Sequence, residues 1–163
     1  MIQYKPLKRS PALVQFSKDH HFALLLIWKI RQGLAFGINT NRINKYINFF
    51  FKNYLETHFK EEEELLFVHL DKNNELRLTA EEDHFALRAF AEKLNLRANS
   101  TTIREFANRL ETHIRFEERG LFNKLQSTLT EVELNFVCNK MAAPHHNIIP
   151  DEWKDEFWIK SKV

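Results

Sequence analysis

Two segments of the chain each carry a histidine followed four residues later by a glutamate, and the segments align without gaps. The first pair is His58 and Glu62, and the second is His113 and Glu117. Positions i and i+4 of a helix lie on one face, because a turn takes about 3.6 residues. Each pair can therefore direct an imidazole nitrogen and a carboxylate oxygen at the same metal ion.

A second repeat lies upstream of each pair. The tetrapeptide His-Phe-Ala-Leu occupies residues 21–24 and again residues 84–87, so the order His, then His-x-x-x-Glu, occurs twice. The first histidine is ambiguous because His20 and His21 are adjacent. The repeat and the helical spacing from His21 to Trp28 favour His21.

Composition predicts one all-helical domain over residues 1–163, with a helical bundle at about 10–128 and a C-terminal helix and tail at 130–163. Fifteen phenylalanines beside only three glycines and four prolines favour long uninterrupted helices. Ser10-Pro11 and Asn39-Thr40-Asn41 are helix-start signals, and the first helix is expected to end near Gly37. Its predicted inward residues are Leu13, Phe16, Leu24 and Trp28.

Three Thr-x-x-Glu capping boxes follow, and they begin at Thr79, Thr102 and Thr130. They predict the starts of a third, a fourth and a shorter fifth helix. Short links between long helices favour an antiparallel up-down-up-down four-helix bundle. The tail after Pro144 carries three aromatic residues, which are expected to pack on the bundle as a lid or, alternatively, to form a homodimer contact: Trp153, Phe157 and Trp158.

Charge and cysteine content exclude several classes of protein. The net charge of +2 has no basic stripe interleaved with aromatics, so nucleic-acid binding is not expected. Cys138 is the only cysteine, which excludes an internal disulfide and a thiolate metal cluster. The longest apolar run, residues 22–28, is too short to cross a bilayer. We expect a cytoplasmic protein without a membrane partner.

The repeated polar residues fall on the apolar stripes of four predicted helices. Burying an ionised carboxylate costs several kcal/mol unless a cation compensates for it. Imidazoles with carboxylates suit first-row metals, and six such ligands suit two ions better than one. If both glutamates bridge, each ion has two nitrogens and two oxygens, a shared oxide or hydroxide makes five ligands, and one position stays open. The predicted metal ligands are His21, His58, Glu62, His84, His113 and Glu117.

This duplicated pattern resembles the hemerythrin-like (HHE cation-binding) domain family. The resemblance implies a non-haem di-iron centre in a four-helix bundle, with one iron at the first pair of histidines and one at the second, and both glutamates bridging. The oxygen-carrying hemerythrins have a further histidine where this chain has Arg88, and a bridging aspartate in place of Glu117. The four-histidine, two-glutamate set is similar to that of bacterial proteins that repair iron–sulfur clusters. Those proteins carry a cysteine-bearing N-terminal domain that has no counterpart in these residues.

Two functions use the same predicted site. The favoured one is a non-enzymatic protein that binds or senses a small ligand such as dioxygen, nitric oxide or iron. The alternative is a redox enzyme or an iron donor for cluster repair, and a metal-free structural bundle is a third hypothesis. Residues near the motifs are expected to have lesser roles: Glu81 orienting His84, His69 half-buried, and Glu61, Glu63, Glu64, Glu118, His145 and His146 solvated.

Overall fold

The described part of the chain is helical, and it contains no strand. A computed structural model describes residues 8–142 and 153–161. Its α-helices are α1 (Pro11–Ala35), α2 (Thr40–Phe50), α3 (Glu56–Glu61), α4 (Glu75–Leu96), α5 (Ser100–Phe116), α6 (Phe122–Thr128) and α7 (Glu131–Met141). The all-α prediction is therefore confirmed.

Wider π-helical turns join several of these helices into longer runs. One turn, Phe51–Leu55, connects α2 to α3, and a second, Glu62–Leu66, follows α3 and leads into the 3₁₀ turn Phe67–His69. A third, Glu117–Leu121, connects α5 to α6. Residues 40–69 and 100–128 thus form two nearly continuous helical runs, called here the α2–α3 run and the α5–α6 run.

Side-chain caps fix where the helices begin. The Ser10 side chain accepts the Ala12 backbone N–H ahead of Pro11, and Asn39 caps α2, as predicted. The capping box of Thr130 and Glu133 is also present at the start of α7.

Two other predicted helix starts are wrong. Asn74 accepts the backbone N–H groups of the following turn and opens α4 ahead of Thr79, and Asn99 opens α5 ahead of Thr102. Asparagine is at least as good an N-cap as threonine, so the upstream asparagine begins each helix. Both Thr-x-x-Glu matches then lie inside a helix.

The helices pack as a bundle around two apolar clusters. Contacts run between α1 and α5, α4 and α5, α1 and α2, and α2 and α4, while α7 lies against α1. The up-down-up-down order stays a prediction from the short connections. On α1 the buried residues include Phe16 and Leu13 in one cluster and Ala23, Ile27 and Ile30 in the other. The predicted inward residues Leu24 and Trp28 are instead 37% and 49% exposed.

The C-terminal segment 153–161 packs on one end of the bundle. Phe157 and Trp158 are buried beside Tyr46, with ring centroids 5.8 and 5.2 Å from it. Gly33 of α1 leaves room for the Phe157 ring, because a Cβ built there would lie 2.8 Å from two ring carbons. The predicted packing of the aromatic tail on the bundle is confirmed for these residues. Pro144, His145 and His146 lie outside the described residues.

No helix in the described ranges is both long enough and apolar enough to cross a membrane.

Candidate metal centre

Six buried polar side chains meet between the two apolar clusters. On α1 the site lies between Phe16 of one cluster and Ala23 of the other, and on α4 between Ala80 and Leu87. The side chains are at most 6% exposed, and they come from all four long helical runs: His20, His58, Glu62, His84, His113 and Glu117. Apolar packing on both sides keeps bulk water away from this polar layer.

The first group of potential ligands joins α1 to the two glutamate-bearing runs. Its members are His20, His58, Glu62 and Glu117, whose ligand atoms all lie within 4.8 Å of one another. The His58 Nε2 atom is 2.9 Å from Oε1 of Glu62, and the His20 Nε2 atom is 3.0 Å from Oε2 of Glu117. These atoms surround a space that one metal ion would fill.

The second group has the same composition. It contains His84 and His113 with the same two glutamates, and its ligand atoms also lie within 4.8 Å of one another. The His84 Nε2 atom is 3.2 Å from Oε2 of Glu62, and the His113 Nε2 atom is 3.3 Å from Oε1 of Glu117. Each glutamate therefore presents one oxygen to the first group and its other oxygen to the second.

Most donor atoms of this centre lack a well-oriented partner, although the Nε2 atoms of His84 and His113 lie 3.1 Å from each other. All four carboxylate oxygens of Glu62 and Glu117 are buried without a well-oriented hydrogen bond, as are the Nε2 atoms of His20 and His58. Buried polar atoms are nearly always satisfied, and an uncompensated buried carboxylate is costly. Two neighbouring cations would satisfy these atoms, so the donor set fits a pair of metal ions.

In the metal-free protein, protons on the imidazoles supply part of the positive charge that metal ions would otherwise supply. Burial alone would lower the pKa of His20, but the surrounding glutamates outweigh it and raise that pKa well above its usual value. The same balance raises the pKa values of His58 and His84 to about 9. Burial would raise the pKa of Glu62, but the adjacent imidazoles hold it well below its usual range. An arriving metal ion must therefore displace protons from the imidazoles.

A second layer of carboxylates holds the outer nitrogen of each imidazole. Carboxylates only accept hydrogen bonds, so each Nδ1 keeps its proton, and each Nε2 faces the centre, where it can bind a metal ion once its own proton is displaced. The contacts cross between helices: His20 to Glu118 at 2.7 Å, His58 to Asp19 at 3.3 Å, His84 to Glu63 at 2.7 Å and His113 to Asp83 at 3.2 Å.

The π-helical turns place two successive glutamates in this arrangement. Glu62 and Glu117 are each the first residue of such a turn, at the end of α3 and α5 respectively. Glu63 and Glu118 follow them and reach the outer nitrogen of a histidine on another helix. Two adjacent residues of each turn thus supply a candidate metal ligand and an outer carboxylate. π-helical turns occur frequently at functional sites.

The preference for His21 over His20 is wrong. The ring of His20 is 3% exposed and lies within the centre, whereas His21 is exposed on the bundle surface. With His20 matched to His84, Ala23 falls opposite Leu87 and both are buried. The sequence does contain a signal for this register, because an aspartate precedes both His20 and His84.

Sequence reasoning also missed the outer carboxylates. Glu63 and Glu118 were expected to be solvated, but they contact His84 and His20 directly. Glu81 does not orient His84, because it pairs with Arg77 at 2.8 Å. The i to i+3 spacing suggests that Glu81 could reach His84, but its side chain instead points to Arg77, one turn earlier in the helix.

Two other expectations concern residues near the centre. His69 is 21% exposed in its side chain and lies 3.5 Å from Glu133, so it is half-buried and outside the two ligand groups, as expected. Arg88 directs its guanidinium to Glu63 at 2.8 Å and to Glu56 at 3.1 Å. It therefore contacts the outer layer and supplies no ligand.

Aromatic rings form the walls of the site. Phe122 stacks on His20 with ring centroids 5.3 Å apart, and Phe59 stacks on His84 at 4.1 Å. Phe67 lies 5.4 Å from His84 on another side. These rings fix the imidazole planes and lower the local dielectric, which strengthens electrostatic interactions within the centre.

Comparison with known families agrees with this geometry. The family described as the hemerythrin HHE cation binding domain matches residues 13–125. The chain belongs to this family. The hemerythrin HHE match spans α1 through most of the α5–α6 run, and it includes both groups of potential ligands. The resemblance inferred from the duplicated motif is thereby confirmed.

No curated protein and no solved structure matched the chain.

Proposed function

We propose that the protein binds two iron ions, one at His20 and His58 and the other at His84 and His113, with Glu62 and Glu117 bridging them. The observation that carries this proposal is the division of each glutamate between the two groups. One oxygen of each carboxylate lies near the first pair of histidines and the other oxygen near the second pair.

The ligand chemistry favours iron or a similar first-row metal. Each ion would have two imidazole nitrogens and two carboxylate oxygens, and a bridging oxide or hydroxide would be a fifth ligand. Magnesium and calcium prefer sites made of oxygen, whereas half of the protein donors here are nitrogen. Two ions held this way leave a coordination position for a small exogenous ligand.

The walls of the centre favour an uncharged diatomic molecule as that ligand. Phe16, Phe59, Phe67 and Phe122 are all buried, and each contacts at least one of the candidate histidines. A charged ligand would lose its hydration on entering such surroundings, whereas dioxygen or nitric oxide would not. We therefore propose reversible binding or sensing of a diatomic gas at a di-iron centre.

Metal analysis and rapid mixing test this function. Protein purified under reducing conditions should contain about two iron ions per chain on the coordination count above. The reduced protein is then mixed with dioxygen or nitric oxide in a stopped-flow spectrometer. A stable absorbance change that reverses under vacuum supports binding, while continuous turnover with a reductant would instead indicate an enzyme. Iron content unchanged by replacing His58 and His113 together would refute the site.

A further inference from the structure

The outer carboxylates of the centre do not all have the same kind of partner. Besides the imidazole that each contacts, three accept a hydrogen bond from an arginine and the fourth accepts one from a neutral amide, among the hydrogen bonds of the described residues. The pairs are Glu118 with Arg9 at 3.0 Å, Glu63 with Arg88 at 2.8 Å, Asp83 with Arg109 at 2.7 Å and Asp19 with Gln15 at 3.0 Å.

Asp19 and Asp83 form a natural matched comparison. Each directly precedes a candidate metal ligand, each is 7% exposed, and each accepts from an imidazole Nδ1 at 3.2–3.3 Å. Asp19 serves His58, and Asp83 serves His113. The main chemical difference is the donor on the other carboxylate oxygen, an amide in one case and a guanidinium in the other.

That difference changes how each imidazole binds a metal. A guanidinium stabilises the negative charge of its carboxylate, so the carboxylate attracts the imidazole proton less strongly. The imidazole then donates less electron density through Nε2. The positive charge of Arg109 also opposes a cation near His113, with only the Asp83 carboxylate between them.

The remaining outer charges do not cancel this difference. Glu118 and Glu63 each have an arginine, so the His20 and His84 positions are alike in this respect. Glu56 shares Arg88 with Glu63, but it accepts mainly from the Nε atom and contacts no candidate ligand in the described hydrogen bonds. The inequality thus rests on His58 and His113.

We propose that the two metal positions are unequal, and that the position formed by His20 and His58 fills first because Gln15 leaves Asp19 uncompensated while Arg109 neutralises Asp83. Gln15 and Arg109 are positioning residues that act on the metal through a carboxylate and an imidazole. The proposal rests on the two-metal site proposed above and assigns an order of filling to it.

The test is a titration of the metal-free full-length protein with Co²⁺, whose visible absorption reports nitrogen and oxygen ligation. Two steps are expected, separated by about tenfold in affinity, the lower end of the usual effect of such outer partners. His58→Ala should remove the tighter step. His113→Ala should remove the weaker step and leave the tighter one.

Variants of the two positioning residues test the cause. Arg109→Gln should strengthen the weaker step severalfold, Arg109→Lys should keep the separation because it keeps the charge, and Gln15→Arg should weaken the tighter step. Arg109 lines an open groove with Thr79 and Asn108, so the two Arg109 changes leave the core intact. Arg115→Gln is the matched control, because Arg115 contacts Glu111 on the surface and should leave both steps unchanged.

Several results would overturn the proposal. A single step of two equal equivalents would do so, as would loss of the tighter step in the His113 variant. Unchanged affinities in Arg109→Gln would remove its physical cause. A protein that bound no Co²⁺ at either position would overturn the metal-site proposal itself, and that result differs from equal binding at both.

Discussion

Replacing Glu62 with glutamine tests whether one carboxylate serves both metal positions. Glu62 is fully buried, with Oε1 2.9 Å from His58 and Oε2 3.2 Å from His84. Glutamine has nearly the same shape, but it carries no charge, and its NH₂ group cannot act as a metal ligand. The change should therefore weaken both positions at once.

The size of the effect follows from the role of this carboxylate. Losing a partner outside the ligand shell lowers metal affinity about 10- to 100-fold, or roughly 1.4–2.8 kcal/mol. Losing a ligand shared by two ions should exceed the upper value at each position. In the metal-free protein the cost is smaller, because the variant also removes a buried charge whose oxygens lack well-oriented hydrogen bonds.

The assay compares iron content and thermal stability of the same samples. Protein is loaded with Fe²⁺ without oxygen, desalted, analysed for iron, and melted with and without metal. Glu64→Gln is the control, since Glu64 is an exposed neighbour in the same π-helical turn. The control should keep its iron and its metal-dependent rise in Tm, while Glu62→Gln loses both. Two ions retained by Glu62→Gln with wild-type affinity would refute the bridging role.

Three further predictions follow from the geometry. His20→Ala should lower iron content while His21→Ala leaves it unchanged, and the reverse result would restore the rejected register. Folding raises the pKa values of His58 and His84 from 6.5 to about 9 and lowers the pKa of Glu62 below 4.5, so the metal-free protein should be most stable between pH 4.5 and 6.5. It should lose up to roughly 3 kcal/mol per histidine by pH 9. Urea unfolding across that range measures this, and a flat profile would contradict it. Gly33→Ala should force the Phe157 ring to shift and should lower stability by about 1 kcal/mol after the gain in helix propensity. It should also increase the quenching of tryptophan fluorescence by acrylamide. Unchanged quenching and stability would count against the close packing.

Five of the six predicted ligands are among the side chains that the structure brings together, and they could be selected from the sequence because their helices are amphipathic. His84 lies on a stripe with Leu87 and Leu94, and His113 lies on a stripe with Leu110, so helical periodicity identifies the inward face. A polar residue on such a stripe stands out. The same logic gave Glu62 and Glu117.

The inward face of α1 could not be predicted in this way because residues 22–28 are all apolar. Periodicity cannot select a face when every position is hydrophobic, and Leu24 and Trp28 were consequently placed inward. The copied tetrapeptide then favoured His21. The aspartate before His20 and before His84 carries the correct register, but its meaning depends on a contact with another helix.

The outer carboxylates could not be predicted from the sequence for a related reason. Four glutamates in succession, residues 61–64, have the same chemistry and differ only in direction. Their directions are set by a π-helical turn that starts at Glu62, and this extra residue in a turn leaves no clear trace in composition. Only coordinates could show that Glu63 contacts His84 while Glu64 remains exposed.

Two of the contacts between an imidazole and an outer carboxylate join opposite halves of the chain, and this affects how the centre can be assembled. His20 depends on Glu118 from the later half of the chain, and His84 depends on Glu63 from the earlier half. Neither half alone can complete its own set of partners, yet each offers what the other lacks. Assembly of the centre therefore requires the two halves of the chain to pack against each other.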